Sequence, residues 1–145
     1  MPLFQLQRRL VLPLLLALLA LAATGSSALA VDWKASANYA FTGNEGNTYQ
    51  GILEGLTIPG GPFAGTFTAE ASADALDGSN VLSFGGPHTL ELSFHYWFTD
   101  TGGVGYYVVT AGTGRYANAT GSGVTQYVDN GDGTGTVIFV GTLSH

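Results

Sequence analysis

Three groups of residues in this chain have types and spacings that could support chemistry: histidines near carboxylates, a cluster of loop carboxylates, and a glycine-rich stretch carrying an arginine. His88 and His95 stand seven residues apart, so on one extended strand they point to opposite faces and cannot share a metal ion. His95 shares a face with Glu91, but four residues of extended chain hold their Cα atoms about 13 Å apart. Ser93 lies beside them in sequence without the Ser–His contact that a nucleophilic triad requires. The pattern reads as a surface or rim histidine, with no metal site.

Asp129, Asn130, Asp132 and Gly133 have the look of a calcium loop. An EF-hand would place an oxygen-bearing side chain where Gly131 stands and a glutamate where Val140 stands. The run is therefore read as a hairpin turn, with a weak calcium contact shared with Asp74 and Asp77 as the alternative. Gly112, Gly114 and Ala117 fit a dinucleotide-binding pattern. That chemistry needs a helix opening at the glycines, and Thr120-Gly121-Ser122-Gly123 prevents one. The expectation is no cofactor and no catalytic set, a reading that leans away from an enzyme.

These residues must be positioned by an exported chain. Arg8 and Arg9, the apolar run from Leu10 to Ala23, and Ser27-Ala28-Leu29-Ala30 form the three parts of a secretory signal, with cleavage expected after Ala30. The run has 14 residues and contains Pro13, against the roughly 20 that a spanning helix needs. The mature chain is then residues 31–145, expected in the periplasm or secreted, as one domain without a transmembrane anchor. It keeps two cations, Lys34 and Arg115, against ten carboxylates, a net charge of −8. That balance excludes nucleic acid and anionic bilayers as partners. There is no cysteine, and the only methionine, Met1, leaves with the signal. Core and backbone ladder must hold the fold without a disulfide.

Glycine supplies 21 of these 115 residues and interrupts every window long enough for a stable helix. Alternation dominates instead. Trp33, Ala35, Ala37, Tyr39 and Phe41 share one parity; so do Phe67, Ala69, Ala71 and Ala73, and Leu90, Leu92, Phe94, Tyr96 and Phe98. Turn clusters such as Asp77-Gly78-Ser79-Asn80 and Asp129-Asn130-Gly131-Asp132-Gly133 separate them. The predicted strands are 33–42, 48–58, 64–74, 81–84, 88–99, 104–111, 121–128 and 135–143. Eight strands with short connections predict an all-β fold, a single antiparallel eight-stranded barrel, with a β-sandwich as the alternative. Closure removes exposed edges, an advantage for a chain without disulfides.

Residues 111–121 read Ala-Gly-Thr-Gly-Arg-Tyr-Ala-Asn-Ala-Thr-Gly, directly after the strand Tyr106-Tyr107-Val108-Val109. This resembles the G-G-T-G-x-F-x-x-A-x-G stretch of dirigent proteins and, more loosely, of the related allene oxide cyclases. Gly112, Thr113, Gly114, Ala119 and Gly121 match, Tyr116 replaces the usual Phe, and Ala111 departs from the first Gly. The resemblance implies an eight-stranded antiparallel barrel whose motif aromatic plugs one end. It brings no recognisable counterparts of the family's catalytic carboxylates.

On a barrel, Arg115 could hold an anionic ligand at the mouth, or form a salt bridge to a neighbouring strand. The tyrosines could line a pocket, or merely pack the core. The ligand-binding set predicted from sequence is Arg115, Tyr116, Tyr106, Tyr96 and Phe94. The leading reading is a non-enzymatic barrel binding a small apolar or aromatic molecule, or a partner surface. The alternatives are a cyclase- or dirigent-type enzyme steering a reactive intermediate with a buried carboxylate (Glu54, Glu70 or Glu91) or a tyrosine hydroxyl, and a structural or surface-layer protein. Asn118-Ala119-Thr120 is a glycosylation sequon, relevant only in a eukaryotic source.

Overall fold

The computed structural model describes residues 29–145, so the export signal read over residues 1–30 lies outside the described residues except for its last two positions. Eight antiparallel strands follow in sequence order: β1 (Val31–Glu45), β2 (Thr48–Ile58), β3 (Gly61–Ala71), β4 (Ala75–Ser83), β5 (Thr89–Phe98), β6 (Gly102–Thr113), β7 (Thr120–Asp129) and β8 (Thr134–Ser144). Each pairs with the next, and β1 pairs with β8 from Val31↔Leu143 to Ala40↔Thr134, closing the sheet into a barrel. Closure decides between the two predicted architectures in favour of the barrel.

The alternating residues do what their parity predicts. Trp33, Ala35, Ala37 and Tyr39 of β1 and Leu90, Leu92, Phe94 and Tyr96 of β5 are buried, joined by Leu53, Tyr107, Phe139 and Leu143. Burying such apolar area, at about 25 cal/mol per Å², drives a chain that has no disulfide to help it. Phe98 departs from its parity: it is 41% exposed at the end of β5, where the barrel wall stops.

One predicted turn is corrected. Asp77-Gly78-Ser79-Asn80 lies inside β4, which runs from Ala75 rather than from residue 81. The chain reverses earlier, at Ser72–Asp74, where the Ser72 N–H donates to the Ala75 carbonyl at 2.8 Å. Gly78 is a packing glycine: it pairs with Ala69 and Phe94, and a Cβ there would run into the Thr68 carbonyl and the Phe94 ring. The preceding strand ends at Ala71 instead of residue 74, which leaves Ala73 exposed in the turn.

The two barrel ends differ. The β2–β3 and β4–β5 connections, the 111–121 stretch and the C-terminus gather at one end, called here the motif end. There a single 3-10 turn, Gly114–Tyr116, sends the Tyr116 ring into the barrel, fully buried against Phe84 at 4.9 Å between ring centroids. The other four hairpins form the hairpin end.

Candidate functional site

The interior is filled at the motif end by Trp33, Tyr107, Phe139 and Tyr116. Toward the hairpin end it opens into an apolar pocket whose volume is about 50 Å³. Aromatic rings make its walls: Tyr39 packs edge-on against Phe41, Phe67 and Tyr127 at 5.6–6.1 Å, and Tyr96 meets Tyr127 at 4.8 Å and Phe94 at 5.1 Å. Phe41, Phe67, Leu76 and Tyr127 are only partly buried, so the rim is itself apolar.

Few polar groups reach this pocket, which makes each informative. Asn80 is 3% exposed and lines it, bringing a carboxamide to an otherwise apolar and phenolic wall. A hydrogen bond to a polar guest is worth about 0.5–1.5 kcal/mol, and the Asn80 amide can both donate and accept one. Tyr96 is satisfied by Thr125, whose hydroxyl lies 2.7 Å away. Burial pushes the Tyr96 hydroxyl well above its ordinary value, the Thr125 contact partly opposing. Burial, then the nearby Asp129 carboxylate, acts the same way on Tyr39 and Tyr127. The pocket therefore presents neutral phenols at physiological pH, with Asp129 as the carboxylate beside its opening.

The five residues predicted from sequence do not form one site. Phe94 and Tyr96 line the pocket. Tyr116 and Arg115 sit at the opposite end of the barrel. Arg115 holds the plug in place: its Nη2 donates to the Gly60 carbonyl at 2.9 Å, and its guanidinium lies 5.3 Å from the Phe84 ring centroid and 4.9 Å from that of Tyr116. Its partner is thus a backbone carbonyl and two ring faces, not a carboxylate on a neighbouring strand. Tyr106 points outward and is 49% exposed, because its neighbour Tyr107 takes the interior position.

The carboxylates considered for a buried acid are corrected. Glu54, Glu70 and Glu91 are all exposed on the outer wall, each one residue away from an inward-facing Leu53, Ala69 or Leu90. Their version of the steering reading is withdrawn. The loop carboxylates considered for calcium have roles within the fold. Asp129 Oδ1 accepts the Gly131 N–H at 2.6 Å, and Asp132 Oδ1 accepts the Thr134 N–H at 3.0 Å, so both carboxylates close the turn. Those bonds from Thr134 hold Asp132 below the usual carboxylate value. Asp77 is committed to His95, their Oδ1 and Nδ1 being 2.5 Å apart.

Tyr39 and Tyr127, among the tyrosines read from sequence as able to line a pocket, stayed outside the predicted binding set, and the reasoning missed Asn80 in the wall and Asp129 beside the opening. Tyr39 could have been found, since it shares the inward parity of Trp33 and Ala37. Asn80 and Asp129 were hidden by lying in runs that look like turns.

No family model and no curated protein matches the sequence. Among solved structures, the barrel is similar to that of a pterocarpan synthase dirigent protein, with a TM-score of 0.51 and 13% identity, over 85% of this chain and 94% of that one. At this identity the likeness concerns the fold alone, and it agrees with the resemblance carried by residues 112–121: the chain folds as a dirigent-like barrel.

Proposed function

We propose that this exported barrel binds a small, uncharged aromatic molecule at its hairpin end, one ring among Phe94, Tyr96, Phe41 and Phe67 and one polar group on Asn80. The observation that carries this reading is the buried Asn80 side chain in the wall of a pocket otherwise made of aromatic and aliphatic residues. Ring-lined walls favour an aromatic guest through edge-to-face contacts of about 0.5–1.5 kcal/mol each. The pocket, about 50 Å³, is smaller than the roughly 150 Å³ that encloses benzene. A guest therefore enters by turning the half-buried rim rings aside and keeps part of itself in solvent.

Binding is favoured over catalysis because the interior tyrosines are held neutral and, among the described residues, no carboxylate lines the pocket. The test is titration with 1-naphthol, followed by methyl NMR. Leu53 and Val137, which line the pocket, are expected to shift saturably, while Leu143 at the motif end stays still. Asn80→Leu is expected to weaken binding about five- to tenfold, one hydrogen bond's worth. Uniform shifts at all three residues, or none, would reject the reading.

A second reading, steering a reactive intermediate toward one product, is favoured by Asp129, which stands beside the Tyr39 and Tyr127 hydroxyls at the same opening. It fits a fold-level neighbour that is a pterocarpan synthase. It predicts that Asp129→Asn alters the product ratio of an aromatic intermediate generated in solution while 1-naphthol affinity holds.

A further inference from the structure

Trp97 and Tyr106, two of the three Phe, Tyr and Trp side chains that the described chain leaves exposed, lie at one corner of the outer wall where β5 meets β6, and the third, Phe98, ends β5 beside them. Half-exposed aromatic rings gathered in one place mark a contact surface. Here they are also fixed in orientation. Asp77, His95 and Tyr106 stand side by side across β4, β5 and β6. His95 stacks on Tyr106 at 5.4 Å and 24°, and meets Trp97 edge-on at 4.6 Å. The Trp97 and Tyr106 rings, 5.9 Å apart, are inclined at 60°, so they form a corner instead of one flat plate.

The polar groups at the corner are set as well. Asp77 can only accept, so in the neutral imidazole the proton sits on His95 Nδ1 and Nε2 presents a lone pair. Beyond Trp97 and Val104 the wall sinks into a shallow groove of about 360 Å³, bordered by Val124, Ile138 and the Gln126 amide.

We propose that this outer corner is a second binding site, separate from the barrel interior, for a neutral sugar ring. A pyranose has one face of C–H bonds, which suits the exposed indole, and a rim of hydroxyls. Those hydroxyls are donors for the second Asp77 oxygen and His95 Nε2, and partners of either kind for Gln126. The groove alongside accepts a following unit, so an oligosaccharide suits the site better than a free sugar. A negatively charged sugar is disfavoured by Asp77 and by the −8 balance of residues 31–145.

The chain has two tryptophans, one fully buried (Trp33) and one half-exposed (Trp97), so acrylamide quenching of emission reports on the corner. The experiment titrates the folded protein with neutral tetrasaccharides of glucose, mannose and galactose units. At least one is expected to protect Trp97 saturably with a millimolar dissociation constant. Tyr106→Ala and Asp77→Asn, both at exposed positions, are expected to weaken that protection at least fivefold with unchanged circular dichroism. Failure of every sugar to protect, protection by tetramethylammonium in their place, or variants that bind like the parent would each overturn the proposal.

Discussion

The Tyr96 hydroxyl donates to Thr125 Oγ1 across 2.7 Å, and Thr125 donates onward to the Ile138 carbonyl at 2.8 Å. The direction follows from counting protons: threonine has one, the Ile138 carbonyl takes it, and Thr125 can therefore only accept from Tyr96. This short relay lets a buried phenol stand in the pocket wall without an unsatisfied donor.

The relay predicts an asymmetry. Thr125→Val leaves the Tyr96 O–H buried without an acceptor and is expected to cost about 1–3 kcal/mol. Tyr96→Phe removes the donor and leaves Thr125 bonded to Ile138, costing about 0.5–1.5 kcal/mol. The double variant should lose less than the sum. Urea unfolding of the three proteins checks this, and additive losses would show that the two hydroxyls are not coupled.

Tyr107 is the counter-case. Its hydroxyl and the Trp33 Nε1 are buried without hydrogen-bond partners among the described residues, deep toward the motif end. Tyr107→Phe deletes an unmatched group and keeps the ring that packs on Trp33 and Phe139. The variant is expected to be as stable as the parent or more stable by up to about 1 kcal/mol. A clear loss in the same urea experiment would mean that the hydroxyl has a partner in solution.

Strand parity carried most of the fold, because a residue's face depends only on whether its neighbours two positions away are buried. Phe94 and Tyr96 were legible for that reason. Tyr106 was not: Tyr106 and Tyr107 are adjacent and chemically identical, so parity says that one faces inward without saying which. The β6 pairing decides it, by placing Tyr106 opposite His95 and Tyr107 opposite Phe94. Gly78 defeated the reading differently, since Asp-Gly is a turn signal wherever no ring needs the space of a missing Cβ. That error concealed Asn80. The pocket itself depends on which inward rings lie at the same height after closure, and strand stagger is not written in local sequence.

The buried tyrosines make the barrel sensitive to alkali. Burial pushes Tyr107 up to about 12 from 10.0, and Tyr39, Tyr96 and Tyr127 are raised too. Below pH 10 both folded and unfolded chains hold these protons, and folding is unaffected by them. Above it the unfolded chain ionises first, so stability falls with rising pH toward the folded values. Phenolate absorbance and circular dichroism, recorded together, should show these four groups ionising as the barrel unfolds. Complete ionisation of all seven tyrosines in a still-folded barrel would contradict the burial.

The last prediction separates the two barrel ends. Gly114 has φ +59°, and a Cβ there would run into the His88 ring, whose Nδ1 accepts the Arg115 N–H at 3.0 Å. Gly114→Ala is expected to destabilise by about 1–3 kcal/mol, through backbone strain and loss of that bond. Arg115→Ala gives up the Gly60 carbonyl and the cation–π contacts, together about 1–2 kcal/mol. Both variants act on the Tyr116 plug, at the end of the barrel away from Asn80 and Tyr96. Each should lower the unfolding midpoint while 1-naphthol affinity stays within twofold of the parent at a temperature where both remain folded. If affinity falls as stability falls, the guest reaches through the barrel to the motif end, and Arg115 belongs to its site after all.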